Sequence, residues 1–249
     1  MVATSSRAEK ISVILPAFNE EEAIVATVMD VEKTLKENAF TNYEILVVND
    51  GCLDATGLRV RNAFGNNSRV KLIEYDRNRG KGYAVKVGFD QATGDLITIL
   101  DADGELSAKQ IPRYINMLQS ADCVIASRSH PQSIVDIPLS RRVLGKFFNA
   151  LVQLLTGLRC GDTQCGLKAL KKQVIRRVRP ASLVKGFAFD VELLSLANLY
   201  GFKIAEAPVE VHSRQALFSV RAVFRMFKEL LGITYRLRIK KWYQKQLAK

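Results

Sequence analysis

The chain has 249 residues, 48% of them hydrophobic, which is enough for one large globular α/β domain and excludes a disordered or fibrous protein. Its net charge of +12 is uneven, since the last 36 residues hold ten Lys or Arg and one acid, Glu229, which favours a basic segment facing an anionic surface over a protein that is basic all over. Its four cysteines have neither paired C-x-x-C spacing nor nearby histidines, so neither a zinc site nor a disulfide framework is expected.

The N-terminal residues 1–10 are predicted to form a flexible tail, because they lack the apolar core of a signal peptide. No uninterrupted apolar run approaches about 18 residues, the length that spans a bilayer. If the protein meets a membrane, we therefore expect it to lie on the surface.

Five short apolar runs rich in β-forming residues alternate with segments of helical period. This order predicts an α/β fold with a mainly parallel, Rossmann-like sheet flanked by helices. The first helix is predicted to be capped by Asn19, with Glu22 completing a capping box, and to run to Glu37. The predicted strands cover residues 11–15, 44–48, 70–75, 96–100 and 123–126.

Acidic side chains follow three of these strands. Glu20 follows the first strand, Asp50 the second, and Asp101, Asp103 and Glu105 the fourth. Ligands of such sheets bind beyond the carboxyl ends of the strands, where these loops gather. Carboxylates two residues apart can hold Mg²⁺ or Mn²⁺, which binds substrate phosphates in its remaining positions. The pattern predicts a metal and nucleotide site, and a solvated acidic turn is the alternative for the last group alone.

Two later segments have amphipathic helical patterns. In residues 142–158, polar side chains recur every three or four positions, and the broad apolar face opposite them is typical of a core helix. Residues 220–247 interleave aromatic and aliphatic side chains with Lys and Arg, which is typical of a helix on a membrane surface. A solvated face or a nucleic-acid contact is the alternative. We expect residues 213–249 to form a basic helical segment after a main domain of residues 11–212.

Seven motifs occur in order along the chain. They are PAFNE from Pro16, NDGCLD from Asn49, RNRGKGYAV from Arg77, DADGE from Asp101, ASRS from Ala126, GDTQCGLK from Gly161 and GFAFDVELL from Gly186. With these motifs, from about residue 11 to about residue 237, the chain resembles family 2 glycosyltransferases of the GT-A fold, and within them the polyprenyl (dolichyl) phosphate sugar synthases. GDTQCGLK is similar to the dolichyl-phosphate glucose synthase pattern, which favours UDP-glucose as donor over GDP-mannose.

The resemblance implies a site for a nucleotide sugar. Asp50 would contact the base, while Asp101 and Asp103 would bind the Mg²⁺ or Mn²⁺ ion and the donor diphosphate. Glu105 stands where mannosyl relatives commonly have a Gln that reaches the metal, so it is a third candidate ligand. The implied nucleotide-sugar-binding residues are Pro16, Phe18, Glu20, Asp50, Lys81, Asp101, Ala102 and Asp103.

The implied acceptor is a lipid phosphate, which is already ionised near pH 7 and needs cations more than a strong base. Arg128 directly follows the fifth strand, and Ser140, Arg141 and Arg142 open the next helix. Arginine suits bidentate phosphate contacts, although one of these arginines could equally be a surface charge. Lys168 is a further candidate.

Two carboxylates remain near family active-site positions, Asp190 and Glu192. Asp190 is either a catalytic group or a cap for the helix that runs to Tyr200. With Asp103 and Arg128, it completes the set of residues that we expect to be catalytic.

The predicted function is metal-dependent, inverting transfer of a hexose from a nucleotide sugar, UDP-glucose favoured, to polyprenyl or dolichyl phosphate. The enzyme would work peripherally at the cytoplasmic face of a membrane, without nucleic acid, and a transmembrane partner subunit is left open. One alternative is a GDP-mannose-dependent synthase. Another is transfer to a glycan or protein hydroxyl, with Asp190 or Glu192 as base. The third is a non-catalytic membrane adaptor.

Overall fold

A seven-stranded sheet of strand order β3-β2-β1-β4-β7-β5-β8 forms the centre of the computed structural model, which describes residues 9–212 and 220–247. All five predicted strands are present in it. The predicted α/β class with a mainly parallel sheet is confirmed, because only the pairings made by β7 are antiparallel in this part of the chain. The strands of the sheet are β1 (Ile11–Ala17), β2 (Tyr43–Asn49), β3 (Val70–Glu74), β4 (Leu96–Leu100), β5 (Cys123–Ser127), β7 (Leu167–Lys171) and β8 (Ile204–Pro208).

The helices cover both faces of the sheet and create two cores. One core joins alternate residues of β1, such as Val13 and Leu15, to the first and fourth helices. The other joins Ile14, on the opposite face of β1, to the third and seventh helices. A parallel pair, β6 (Ile134–Asp136) and β9 (Glu210–His212), forms a separate small sheet. The helices are α1 (Ile24–Glu37), α2 (Thr56–Phe64), α3 (Lys81–Gln91), α4 (Ile111–Met117), α5 (Leu139–Thr156), α6 (Lys172–Val178), α7 (Phe189–Leu199), α8 (Val220–Thr234) and α9 (Trp242–Leu247).

Strand β7 was not predicted, although it lies inside the sheet. It pairs antiparallel with both β4 and β5, and it places Lys168 opposite Ile99 and Ile125. Two of its five residues are lysines, and charged side chains are depleted in buried strands. The sequence pattern therefore does not predict a strand here. The strand begins beside the end of β4, where the Asp101 backbone N–H donates to the Gly166 carbonyl at 3.2 Å.

The predicted cap of the first helix is wrong. Helix α1 begins at Ile24, its N-cap position is Ala23, and no side chain caps it. Asn19 instead adopts a left-handed backbone with φ of 57°, and its side-chain oxygen accepts from the Leu53 N–H at 2.9 Å. The side chain is therefore used to join the loops after β1 and β2.

Helix α5 is amphipathic as predicted, but only part of its apolar surface packs against the core, through Val152, Leu151 and Leu155. Leu139, Phe147 and Leu154 are 73%, 62% and 71% exposed, and Val152 alone is buried among the described residues of this helix. Of the polar stripe, Asn149 is half-buried and Arg142, Lys146 and Gln153 are exposed. The Asn149 and Gln153 amides both donate to the Cys160 carbonyl at 2.9 Å. The helix thus presents apolar side chains to its surroundings, which is unusual for a soluble surface.

The C-terminal segment is helical from Val220 and partly packed. Helix α8 continues into a π-helical turn, Tyr235–Ile239, before α9. Leu230 and Ile233 are buried in the core beneath α7, whereas Phe224 and Leu231 are exposed. Residues 1–8 of the predicted tail, and 213–219 at the predicted domain boundary, lie outside the described residues. Among the helices that the structure describes, none has the length and apolarity to cross a membrane.

Candidate active site

The loops that follow β1 and β2 are joined to each other by hydrogen bonds. The Asn19 N–H donates to Cys52 Sγ at 3.1 Å, and the Glu20 N–H donates to Thr56 Oγ1 at 2.9 Å. The Glu21 N–H donates to a carboxylate oxygen of Asp54 at 3.1 Å. These bonds fix the backbone around Glu20. Its carboxylate is close enough to the loop after β4 to be affected by the charges of Asp101 and Asp103.

Three carboxylates form an electronegative group at this edge of the sheet. Burial and the charge of Asp101 raise the pKa of Asp103 to about 6. Burial, with the charges of Asp103 and Asp101, raises the pKa of Glu20 to about 7. Like charges held together out of water disfavour ionisation, and a cation would relieve that repulsion. This part of the predicted site is therefore built to receive positive charge.

The donor set fits a divalent ion such as Mg²⁺ or Mn²⁺, because Asp101 and Asp103 offer hard carboxylate oxygens on one loop. Gly166 packs directly against the Asp101 carboxylate, since a Cβ at this position would collide with it. Within residues 9–212 and 220–247, however, no three His, Cys, Asp or Glu side chains converge on one metal position. Glu105 does not complete the predicted set of three ligands, so an ion held by the two aspartates would keep positions open for phosphate oxygens and water.

Glu105 is instead paired with Arg141. Its two carboxylate oxygens accept from the two Nη groups of Arg141 at 2.9 and 2.8 Å, and both side chains are largely buried. This bidentate pair connects the loop after β4 to the first turn of α5. A predicted metal ligand and a predicted acceptor residue therefore lie in direct contact.

A chain of alternating charges runs from the carboxylate group into the protein. Lys81 Nζ lies 2.8 Å from Asp101 and 3.7 Å from Asp190, and Lys168 Nζ lies 2.8 Å from the other oxygen of Asp190. Although burial opposes charge on Lys81, Asp101 and Asp190 raise the pKa of its ammonium group. The two positive charges of the lysines balance the two negative charges of Asp101 and Asp190. Neither lysine charge is therefore left over to neutralise Asp103 or Glu20.

Asp190 does not cap α7, so that alternative is wrong. The N-cap position of α7 is Ala188, and no side chain bonds there. Asp190 is buried between the two ammonium groups described above, where it holds Lys81 in place. Glu192 is fully buried and accepts from Tyr243, Ser182 and two backbone N–H groups, so it anchors α9 and does not face a substrate.

Asp50 organises the loop before α3. Its carboxylate accepts from Tyr75 Oη at 2.6 Å, from Asn78 Nδ2 at 2.9 Å, and from the Arg79 and Gly80 N–H groups at 2.8 Å. Four donors occupy the lone-pair positions that a carboxylate offers. This geometry favours a role in shaping the nucleotide site over the direct base contact that the resemblance implies. Of the other implied nucleotide residues, Phe18 is exposed, Pro16 is half-buried and Ala102 is buried.

The predicted acceptor residues are placed differently from one another. Arg128 makes a bidentate pair with Asp162, through Nε at 2.6 Å and Nη2 at 3.0 Å. Arg128 and Arg141 both line one cavity with Asp101 and Asp103. Ser140 and Arg142 are exposed at the start of α5, outside the lining of that cavity.

Lys168 is also outside the cavity lining. Its ammonium group is buried against Asp190 and donates to the Cys165 carbonyl at 2.7 Å. Of the residues predicted to bind the acceptor phosphate, Arg128 and Arg141 therefore line the cavity and Lys168 does not.

The same cavity has an apolar wall that the sequence analysis did not identify. The wall residues recur three or four positions apart on α5 and α8, which is the spacing of one helix face. That spacing was a usable signal, but nothing in the sequence says that the two helices meet. The apolar wall consists of Leu144, Gly145 and Phe148 from α5, Phe187 from the loop before α7, and Val223 and Met226 from α8.

Adding Mn²⁺ is expected to raise the melting temperature by several degrees at about pH 7.5 and far less at about pH 5.5. The folded state raises the pKa of Glu20 to about 7 and of Asp103 to about 6, so it holds protons more tightly than the unfolded chain. Without metal, stability therefore falls as pH rises through this window, and a bound cation reverses the loss. Differential scanning fluorimetry measures this, with Asp103→Asn as the control. Equal shifts at both pH values would contradict the assignment.

Comparison with known proteins shows the family of the chain. The family model described as Glycosyl transferase family 2 matches residues 12–179. The dolichyl-phosphate beta-glucosyltransferase of Dictyostelium discoideum is 31% identical over 252 residues, covering 93% of this chain and 76% of the relative. The enzyme of the same name from Mus musculus is 31% identical over 264 residues, covering 98% and 81%.

A solved structure shares the fold. The glucosyl-3-phosphoglycerate synthase from Mycobacterium tuberculosis, in complex with Mn²⁺, UDP-glucose and phosphoglyceric acid, superposes with a TM-score of 0.68 at 16% identity. The match covers 91% of this chain and 79% of that one. With its sheet, its paired aspartates after β4 and these relatives, the chain is a glycosyltransferase that belongs to family 2 and has the GT-A fold.

Proposed function

We propose that the protein transfers glucose from UDP-glucose to a polyprenyl phosphate such as dolichyl phosphate, with a divalent metal ion and with inversion, at the cytoplasmic face of a membrane. The observation that carries the proposal is the composition of one cavity. It brings the Asp101 and Asp103 carboxylates and two arginines together with an apolar wall. A substrate pair consisting of a metal-bound diphosphate and a phosphate on a hydrocarbon chain matches that composition.

The donor would bind where the loops after β1, β2 and β4 meet. A divalent ion bound there would neutralise the leaving diphosphate as charge develops on it. Asp101 and Asp103 would hold that ion, and Lys81, beside Asp101, would add a positive charge close to the same phosphates. The names of the relatives in Dictyostelium and mouse support glucose as the sugar, and the sequence GDTQCGLK supports the same choice.

The acceptor phosphate would be bound by Arg128 and Arg141. Both guanidinium groups line the cavity, and each is held in orientation by a carboxylate partner, Asp162 or Glu105. A phosphate oxygen is a nucleophile without loss of a proton at neutral pH, so no base is required of the protein. In-line attack from the side of these arginines would invert the anomeric carbon and give a β-linked lipid phosphate sugar from an α-linked donor.

The exposed apolar faces of α5 and α8 would meet the membrane. The two helices contact each other, and the cavity opens between their apolar side chains. Basic residues on α8, including Arg221 and Arg225, would favour an anionic lipid surface. A transmembrane partner subunit would add to this attachment without being required by it. The exposed apolar residues are Leu139, Val143, Leu144, Phe147 and Leu154 on α5, and Phe224, Phe227 and Leu231 on α8.

The proposal is tested by recovery of label in the lipid phase from UDP-glucose and, in parallel, from GDP-mannose, with polyprenyl phosphate and Mg²⁺ or Mn²⁺. Metal-dependent label from UDP-glucose is expected. Label only from GDP-mannose would keep the reaction and change the donor. No label from either would refute the lipid acceptor.

Gly145→Trp makes this assay specific for the apolar wall. A Cβ at Gly145 would meet no atom within 4 Å, and Gly145 lines the cavity, so a larger side chain can be added there and is expected to occupy part of the cavity. We expect the acceptor KM to rise about tenfold or more, with nucleotide affinity unchanged. Ala150→Trp, also on α5, is the control, since Ala150 is exposed and outside the cavity lining. Equal loss in both variants would count against the wall as the acceptor site.

The other candidate functions have less support. Transfer to a hydroxyl needs a base, but Asp190 is paired with two lysines and Glu192 is buried away from the cavity. A non-catalytic adaptor would have no use for the mutual repulsion that raises the pKa of Asp103.

A further inference from the structure

Glu229 lies on the inner side of α8, and no assigned role uses it. It is the one acidic residue in the last 36 residues of the sequence, among ten Lys or Arg. Its two carboxylate oxygens accept from the backbone N–H groups of Gly186 and Ala188, each at 3.1 Å. These N–H groups belong to residues 185–188, the segment leading into α7, which we call the α7 entry loop. Glu229 therefore joins α8 to this loop by two hydrogen bonds.

The absence of a side chain at Gly186 lets the Glu229 carboxylate approach the loop backbone closely. A Cβ at Gly186 would collide with the Glu229 carboxylate, so the loop backbone and the carboxylate are packed directly against each other. Both oxygens of Glu229 are in use, and the residue is half-buried. The position of the α7 entry loop is thus tied closely to the position of α8.

The other side of the α7 entry loop packs against the first turn of α3. The Lys185 carbonyl accepts from the Tyr83 N–H at 3.0 Å, and a Cβ at Gly80 would lie 2.6 Å from that carbonyl. A Cβ at Gly82 would collide with Phe189 and would lie 2.9 Å from the Gly186 carbonyl. The loop and the start of α3 are therefore in close backbone contact, and a shift of one displaces the other.

The first turn of α3 carries Lys81, whose ammonium group lies between Asp101 and Asp190. A continuous series of contacts thus leads from α8, through Glu229 and the α7 entry loop, to a residue that touches the carboxylates of the proposed donor site. Phe187, in the same loop, lines the cavity beside Val223 and Met226 of α8. The loop touches both the apolar wall and the donor side of the site.

We infer that Glu229 is a positioning residue, through which the seating of α8 on the domain sets the geometry of the donor site at the start of α3. Because α8 also exposes Phe224 and Leu231, Glu229 links the proposed membrane surface to nucleotide binding. The inference rests on the proposed function for the identity of the donor, but its structural part does not. Packed side chains and hydrogen bonds that connect two elements are the kind of contact through which such coupling is carried.

The first test is hydrogen exchange, which needs no ligand. In Glu229→Ala, amide protection is expected to fall both in the α7 entry loop and at residues 80–84, and to be retained in β1 and β2. Thr234→Ala is the matched control on α8, since in the part of the chain that the structure describes its hydroxyl donates to the Leu230 carbonyl alone, within the same helix. Loss of protection confined to the α7 entry loop would overturn the inference.

The second test is nucleotide affinity, measured by calorimetry with UDP or GDP and Mn²⁺. Glu229→Ala is expected to raise the Kd about tenfold, and Glu229→Gln, which keeps one acceptor oxygen, to restore part of that loss. Gly186→Ala disturbs the same contact from the loop side and should resemble Glu229→Ala, which covers the case in which the latter does not fold. An unchanged Kd in both variants would overturn the inference. If the unmodified protein binds neither nucleotide, the proposed function fails, and the exchange experiment still decides the coupling.

Discussion

Replacing Asp103 with alanine is expected to lower sugar transfer by about 10²–10³-fold or more, the range seen when an electrostatic group is removed from a transition state. Asp103 is one of two carboxylates available for the metal ion, because Glu105 is paired with Arg141 and no third ligand converges among the described residues. The loss should therefore appear in kcat at saturating donor and metal.

The same substitution is expected to leave the protein folded, with a melting temperature equal to or above that of the parent. Burial and Asp101 raise the pKa of Asp103 to about 6, so its negative charge opposes folding at neutral pH in the absence of metal. Removing it relieves that repulsion, as is common where a site trades stability for function.

Parallel measurements of kcat and thermal unfolding check both halves of this prediction. Asp136→Ala, at a highly exposed carboxylate on β6, is the control and should change neither quantity appreciably. Retained turnover in Asp103→Ala would remove Asp103 from the metal site.

Replacing Lys168 with methionine is expected to destabilise the fold by about 3–5 kcal/mol, the usual cost of removing one partner of a buried ion pair. The side chains of Lys168 and Asp190 are 2% and 4% exposed, and their charged atoms lie 2.8 Å apart. Lys81, at 3.7 Å from Asp190, would compensate only part of the lost charge. Urea unfolding measures the change.

This result would separate two roles for Lys168. A direct contact with the acceptor phosphate, the role predicted from the sequence, would raise the acceptor KM and leave stability unchanged. In the structural role, the double variant Lys168→Met/Asp190→Leu should recover most of the lost stability, because it leaves no unpaired charge in the interior. Full stability in the single variant would favour the acceptor role.

The local pattern of the sequence determined the main sheet and one part of the site. The five predicted strands, β1 to β5, are short apolar runs with turn residues at their ends, and such runs need only a sheet between two helical layers to be buried. Because parallel strands end at one edge, the acids at Glu20, Asp101 and Asp103 were predictably neighbours. The motifs predicted the family, and the match to Glycosyl transferase family 2 over residues 12–179 confirms it.

The ion-pair partners of the charged residues in and beside the site were decided only by the tertiary structure. Lys168 gave no sign of lying in a central strand, because its burial depends on Asp190, which is distant in the chain. Arg128 and Arg141 could be predicted as cations near the site, but not their carboxylate partners Asp162 and Glu105. Ion pairs between distant residues leave no periodic signal in a sequence.

The two amphipathic helices show the limit most clearly. A helical pattern in the sequence determined that α5 would have a polar face and an apolar face. It did not determine which face would pack on the domain. The period of the pattern shows which residues share a face of the helix, but not which other parts of the protein cover that face. Only the fold decided this, because burial depends on which neighbouring elements reach the helix. Val152 is buried and Leu151 packs partly against the core, whereas Phe147 and Leu154 on the same helix are exposed.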